Sequence, residues 1–252
     1  LSRSHRLFVP PADIAAATSQ SGEHRLVVAG EGHRHLARVL RVGRGESVTL
    51  FDGTGSEVEA EVVRVGARET ELQVTAGARR AGVSTAPAVA ITLLTAIPRG
   101  ERMDLLIEKA CELGVARVVP VVAERSVVRP GAGTPRRRRW EKIAREAARQ
   151  CGRADVPAIA DPTPLPDVLA GELPPRRFAL APDGTPLRAA LDGPPAPTAL
   201  LVGPEGGLAP DEIAAAEAAG FAAVSVGPRI LRVETAAIAA VTLVHAAAGG
   251  LG

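Results

Sequence analysis

Two glycine-proline loops carry the residue types best suited to chemistry in this chain. The first is Gly203-Pro204-Glu205-Gly206-Gly207, which follows the apolar run Thr198 to Val202. The second is Gly227-Pro228-Arg229-Ile230-Leu231-Arg232, which follows Ala222 to Val226 and leads into Val233-Glu234-Thr235-Ala236. Glycine lets backbone N–H and C=O groups come close to a ligand. In open α/β sheets, ligands gather at the carboxyl ends of strands. Two such loops one βα unit apart read as two walls of one pocket. The first loop is not a phosphate-binding P-loop, because no Gly-Lys-Ser/Thr follows it, and it is not a Gly-x-Gly-x-x-Gly fingerprint. Arg229, Arg232 and Glu234 place charge beside the second loop, either as working groups or as a solvated local pair of little energetic value.

The elements that must position these loops alternate strand and helix from residue 89 onward. The expected strands are Val89–Leu94, Val115–Val122, Phe178–Leu180, Thr198–Val202 and Ala222–Val226. The expected helices are Glu101–Leu113, Thr134–Gln150, Asp211–Ala219 and a last helix capped by Thr235. This order implies a largely parallel sheet. Residues 1–75 are instead β-rich: Leu26–Val28, Ser47–Phe51, Val58–Val63 and Glu69–Val74 read as strands, and Asp52-Gly53-Thr54-Gly55 reads as a hairpin turn. A small β-barrel would close them. Glu31–Val42 reads as a short helix. The expected organisation is therefore a barrel over 1–75, a linker over 76–88 and an α/β domain over 89–252.

Composition narrows the function classes. The chain has 252 residues, a net charge of +2 and 46% hydrophobic residues, enough for a real core. No charge-free apolar run reaches the roughly 18 residues of a membrane span. With no apolar signal core at the start, a cytoplasmic protein is expected. Cys111 and Cys151 lack metal-ligand spacing and are expected to be reduced thiols. Of the 30 basic residues all but Lys109 and Lys142 are arginine, much of it a reflection of coding bias, so only placement is informative. Arg136 to Arg139 fill the start of a helix, where the dipole favours acids, and a polyanionic partner would offset that. Arg34, Arg38 and Arg41 fall at i, i+4 and i+7, one helical face. Arg6 and Arg153 add basic charge. Aromatic residues make up only 2%, with no Tyr, which disfavours base-stacking platforms and favours folded RNA gripped by its backbone. On residue types alone, a nucleotide-dependent oxidoreductase and a non-catalytic RNA-binding protein stay open.

Taken together, the motifs are similar to the signature of the RsmE family. They are Leu201 to Gly207, Gly227 to Ala236, Arg6-Leu7-Phe8-Val9, His35 to Arg41, Glu108 to Val115 and Glu146 to Arg153, in order along nearly the whole chain. RsmE enzymes are bacterial methyltransferases of the SPOUT superfamily that act on N3 of a uridine in 16S ribosomal RNA. The resemblance implies a PUA-like barrel before an α/β SPOUT domain with a C-terminal trefoil knot. It also implies S-adenosylmethionine as cofactor, the small ribosomal subunit as RNA partner, and a homodimer. The cofactor would be held by Leu180, Ala181, Pro182, Gly203, Pro204, Glu205, Gly206, Gly207, Val226, Gly227, Ile230 and Leu231. Arg232 would stabilise charge on the uridine, with Glu234 or Thr235 orienting it. Arg6, Arg34, Arg38, Arg41, Arg136, Arg137, Gln150 and Arg153 would contact RNA. Val233 departs from the Thr that many members carry, so any role for that hydroxyl is absent.

Overall fold

The computed structural model describes residues 5–19, 24–81, 88–128 and 135–250. Two compact units emerge, one of residues 1–85 and 148–156, the other of 86–147 and 157–252.

In the first unit, strands β1 (His5–Phe8), β2 (His24–Ala29), β3 (Ser47–Phe51), β4 (Ser56–Val65) and β5 (Glu69–Ala81) form one sheet in the order β1-β3-β4-β5-β2. Among these described strands only β1 and β3 run parallel. The Asp52 turn forms as its sequence demands: the Asp52 carboxylate accepts from the Thr54 amide and hydroxyl, both at 2.8 Å. Leu7, Val48, Leu50, Val58, Val62 and Leu72 pack with Ile14 of α1 (Pro11–Ser19) and with Leu36. The strand β5 continues into the stretch read as a linker, because Arg79, Arg80 and Ala81 pair with Val58, Glu57 and Ser56.

The short helix of this unit also departs from expectation. It begins as α2 (Gly30–Arg34) and passes into a π-helical turn over His35–Leu40, after which Arg41 turns left-handed at φ 56°. A π turn winds more residues per turn than an α-helix. Arg34, Arg38 and Arg41 are therefore all exposed but do not share one α-helical face.

In the second unit, β6 (Ile91–Ala96), β7 (Arg117–Val122), β8 (Ala158–Ile159), β9 (Thr163–Pro164), β10 (Arg176–Pro186), β11 (Thr198–Val202) and β12 (Ala222–Ser225) form a sheet ordered β12-β10-β11-β6-β7-β8, with β9 also on β7. Every pairing is parallel. The helices are α3 (Arg102–Glu112), α4 (Pro135–Cys151), α5 (Leu165–Ala170), α6 (Leu187–Ala190), α7 (Pro210–Ala218) and α8 (Val233–Ala247). Met103, Leu106, Ile107 and Ala110 are the buried stripe of α3, as their spacing requires. Residues 148–156, the last turn of α4 and the segment after it, group with the first unit: Val156 donates to Gly53 O at 2.9 Å and Gly55 to Ala154 O at 3.2 Å. No described helix is long and apolar enough to cross a membrane.

Thr235 does not cap α8. The helix starts at Val233, whose side chain is buried, and Arg232 is the extended N-cap residue at φ −68°, ψ 155°. The Thr134 cap expected for α4 lies outside the described residues.

Candidate active site

The strands β10, β11 and β12 end side by side, and their loops enclose one cavity of about 350 Å³. Each loop is shaped by a different local device. In β10 the register against β12 slips: Leu180 and Thr185 both face Val224, so Ala181 to Gly184 leave the ladder. Gly184 is required there, because a Cβ would stand 2.5 Å from the Val224 nitrogen. After β11 the chain turns at Pro204, whose carbonyl accepts from Gly207 N at 2.8 Å. Pro210 then opens α7, and Glu212 returns a carboxylate oxygen to Ala209 N at 2.9 Å. After β12, Gly227 takes φ 134°, a value side chains rarely tolerate.

All twelve residues expected to hold a cofactor line this cavity: Leu180, Ala181, Pro182, Gly203, Pro204, Glu205, Gly206, Gly207, Val226, Gly227, Ile230 and Leu231. Val202, Leu208, Val224, Val233 and Ala236 add apolar wall. Among the described residues, the charged ones in its lining are Glu205 and Arg229. The cavity thus offers backbone polar groups, an apolar floor and a little charge, which suits a small, mostly uncharged heterocycle with a polar tail.

The residues expected to act on substrate stand at its margin. Arg232 is exposed between the cavity-lining Leu231 and Val233, and Thr235 is exposed on the first turn of α8. Glu234 is buried. Its carboxylate does not orient Arg232; it faces Arg102, with Oε1 3.7 Å from Nε. The Arg102 guanidinium also stands 3.9 Å from Glu205 Oε1. Sequence reasoning missed Arg102, since it lies about a hundred residues earlier, and the only signal for it was an arginine at the start of an otherwise amphipathic helix. Arg125, after β7, was missed as well: it donates to Gly206 O at 3.1 Å.

The residues expected to meet RNA divide into two groups. Arg34, Arg38, Arg41, Arg136 and Gln150 are exposed. Arg6 and Arg153 are instead built into the first unit. Arg6 pairs with Glu57 at 3.0 Å, lies 5.1 Å over the Phe51 ring and donates to Arg153 O at 3.0 Å. Arg153 is buried against Asp155, 2.5 Å away. Arg137 bonds Glu141 at 2.9 Å and Asp161 at 2.8 Å, and these bonds raise its guanidinium above its ordinary pKa. Arg139 pairs with Asp104 and Glu101. Neighbouring acids thus offset part of the charge that looked unfavourable at the start of α4.

Relatives place this arrangement. Residues 85–245 match the RNA methyltransferase domain family, and residues 29–75 match the RNA methyltransferase PUA domain. Ribosomal RNA small subunit methyltransferase E from Mycobacterium bovis is 36% identical, over 85% of this chain and 83% of its own length. The chain belongs to the ribosomal RNA small subunit methyltransferase E family. A member of that family from Neisseria gonorrhoeae, solved bound to S-adenosyl methionine, superposes with a TM-score of 0.83 at 30% identity, covering 95% of this chain and 96% of its own. A Legionella pneumophila protein solved with the bound cofactor SAM gives a TM-score of 0.85, also at 30% identity, covering 97% and 98%.

Proposed function

We propose that this chain transfers a methyl group from S-adenosylmethionine to N3 of a specific uridine in 16S ribosomal RNA of the small subunit. The observation that carries this reading is the single cavity formed by the β10, β11 and β12 loops in a member of this family. The cavity residues fit the cofactor: glycine backbone leaves room at Gly203, Gly206, Gly207 and Gly227, apolar side chains suit an adenine ring, and Glu205 and Arg229 complement a zwitterionic amino-acid tail. The bound cofactor supplies a sulfonium methyl that is electrophilic without a metal.

The chain's own task is then alignment and charge. The loops hold donor and base close and in line. Uridine N3 is a poor nucleophile until its proton leaves, and a cation beside the ring stabilises the resulting imide. Arg232 takes that role from the α8 N-cap, with Thr235 one turn in. Glu234 acts from beneath the helix through its pairing with Arg102. The base leaves its stack to enter the pocket. Arg34, Arg38, Arg41, Arg136 and Gln150 hold the RNA backbone. The same family reading carries a trefoil knot at the C-terminal end, a homodimer with the site near its interface, and a cytoplasmic location.

Incubation with labelled S-adenosylmethionine and small subunits lacking the modification, followed by nucleoside mass spectrometry, tests the reading. One 3-methyluridine site, lost in Arg232→Ala, is expected. Cofactor binding without transfer to any small-subunit RNA would overturn the substrate assignment.

A further inference from the structure

The Gly203–Gly207 loop puts three glycines into the cavity wall, yet ligand binding by backbone groups needs that wall fixed beforehand. Its internal bonds are few: among the described residues, Gly207 N to Pro204 O is the one turn bond within it. Two arginines from outside reach it instead. Arg125, in the turn after β7, donates from Nη1 to Gly206 O at 3.1 Å. Its stem packs there too, since a Cβ on Gly206 would lie 3.5 Å from Arg125 Cβ. Arg102, at the start of α3, places Nη1 3.9 Å from the Glu205 carboxylate. The turn carrying Arg125 is itself anchored. Ser126 accepts from Ala123 N at 2.9 Å, and Glu212, on the helix after the glycine loop, accepts from Glu124 N at 2.8 Å.

We propose that Arg102 and Arg125 are positioning residues that clamp the glycine loop in its ligand-ready shape, acting on cofactor affinity without touching the reacting atoms. Arg125 fixes the backbone through a carbonyl, and Arg102 fixes the Glu205 side chain. The clamp rests on the cofactor reading above for its consequence, but not for its existence.

Arg102→Met and Arg125→Met remove each cation while keeping a long apolar stem. Two readouts decide the matter. In ligand-free protein, amide exchange at Gly206 and Gly207 speeds up severalfold in Arg125→Met, whose melting temperature stays near that of the unmodified chain. By calorimetry, S-adenosylmethionine binds about fivefold to tenfold more weakly to each variant, as expected for a lost hydrogen bond or ion pair. In Arg125→Met, KM for the cofactor rises more than kcat falls, and Arg125→Lys restores most of the affinity. Glu205→Gln and Arg102→Met combined weaken binding less than the product of their separate effects. Wild-type exchange and affinity within twofold in both Met variants would overturn the clamp. If the unmodified chain fails to bind S-adenosylmethionine, the cofactor reading falls, and amide exchange at Gly206 and Gly207 decides the clamp by itself.

Discussion

Arg102 Nε stands 3.7 Å from Glu234 Oε1, joining the first residue of α3 to a buried carboxylate at the start of α8. The other oxygen, Glu234 Oε2, is fully covered and has no hydrogen-bond partner among the described residues. The two ends of this pair have different surroundings, because Arg102 is 37% exposed while Glu234 is 8% exposed. Cutting it from either side therefore gives different results. Glu234→Gln removes a buried charge and keeps the shape, so stability is expected to hold or rise slightly. Arg102→Met strands the carboxylate. The separation and the exposure of Arg102 limit that loss to about 1 kcal/mol. Urea denaturation of both variants checks the order. Methyl transfer by Glu234→Gln is expected to fall about tenfold, roughly 1.4 kcal/mol of transition-state stabilisation.

Gly184→Ala tests how the cavity is built. The new Cβ would meet the backbone of Val224 at 2.5 Å, and backbone cannot step aside as a side chain can. A loss of about 3 kcal/mol in unfolding free energy is expected, at the upper end of overpacking costs. A melting temperature within a degree of wild type would show that the β10–β12 register shift is not rigid.

Gly227→Ala separates conformation from crowding. No described atom lies within 4 Å of the added Cβ, but φ is 134°. The cost is backbone strain alone, about 1–2 kcal/mol. Because the loop relaxes to escape it, cofactor affinity should fall together with stability. Calorimetry in parallel with thermal melting checks this.

RNA binding distinguishes the exposed arginines from the partly enclosed Arg6. Removing Arg34, Arg38 or Arg41 should weaken binding across sequences and reduce the slope of log affinity against log salt by about 0.7–0.9 for each phosphate no longer neutralised. Arg6→Ala should behave otherwise. It breaks a buried pair and uncovers the Phe51 ring, so about 3 kcal/mol of stability is lost while the salt slope of the folded fraction stays. Filter binding at several salt concentrations reads the first effect, and thermal melting the second.

The glycine loops were legible because their information is local. Gly203 to Gly207 and Gly227 to Leu231 each come directly after a strand, and both loops line the cavity. Family likeness puts a strand end at Leu180-Ala181-Pro182; these residues do line the cavity, but β10 runs on to Pro186 with its register slipping after Leu180. What escaped was set by distance along the chain. Arg102 and Arg125 acquire meaning only when β6 pairs with β11 and β7 with β6, and nothing in their own neighbourhoods marks them. Charge alone also did not reveal the partners of Arg6 and Arg153 within the first unit, because those acids and the ring come from β3, β4 and the segment after α4. The π turn at His35–Leu40 hid behind an ordinary helical pattern, because apolar spacing does not distinguish the two windings over so short a span.

The hydrogen bonds that Gly53 and Gly55 share with Val156 and Ala154 have a consequence for synthesis. A nascent chain grows from its amino end and folds by units as they emerge. Here the first unit cannot finish when residue 85 leaves the ribosome, because its last pieces, residues 148–156, are encoded about sixty codons later. The hairpin turn at Asp52 waits with backbone groups unpaired while β6, α3, β7 and α4 are still being made. Translation speed across that interval, rather than at the amino-terminal segment, sets how long the early strands stand incomplete.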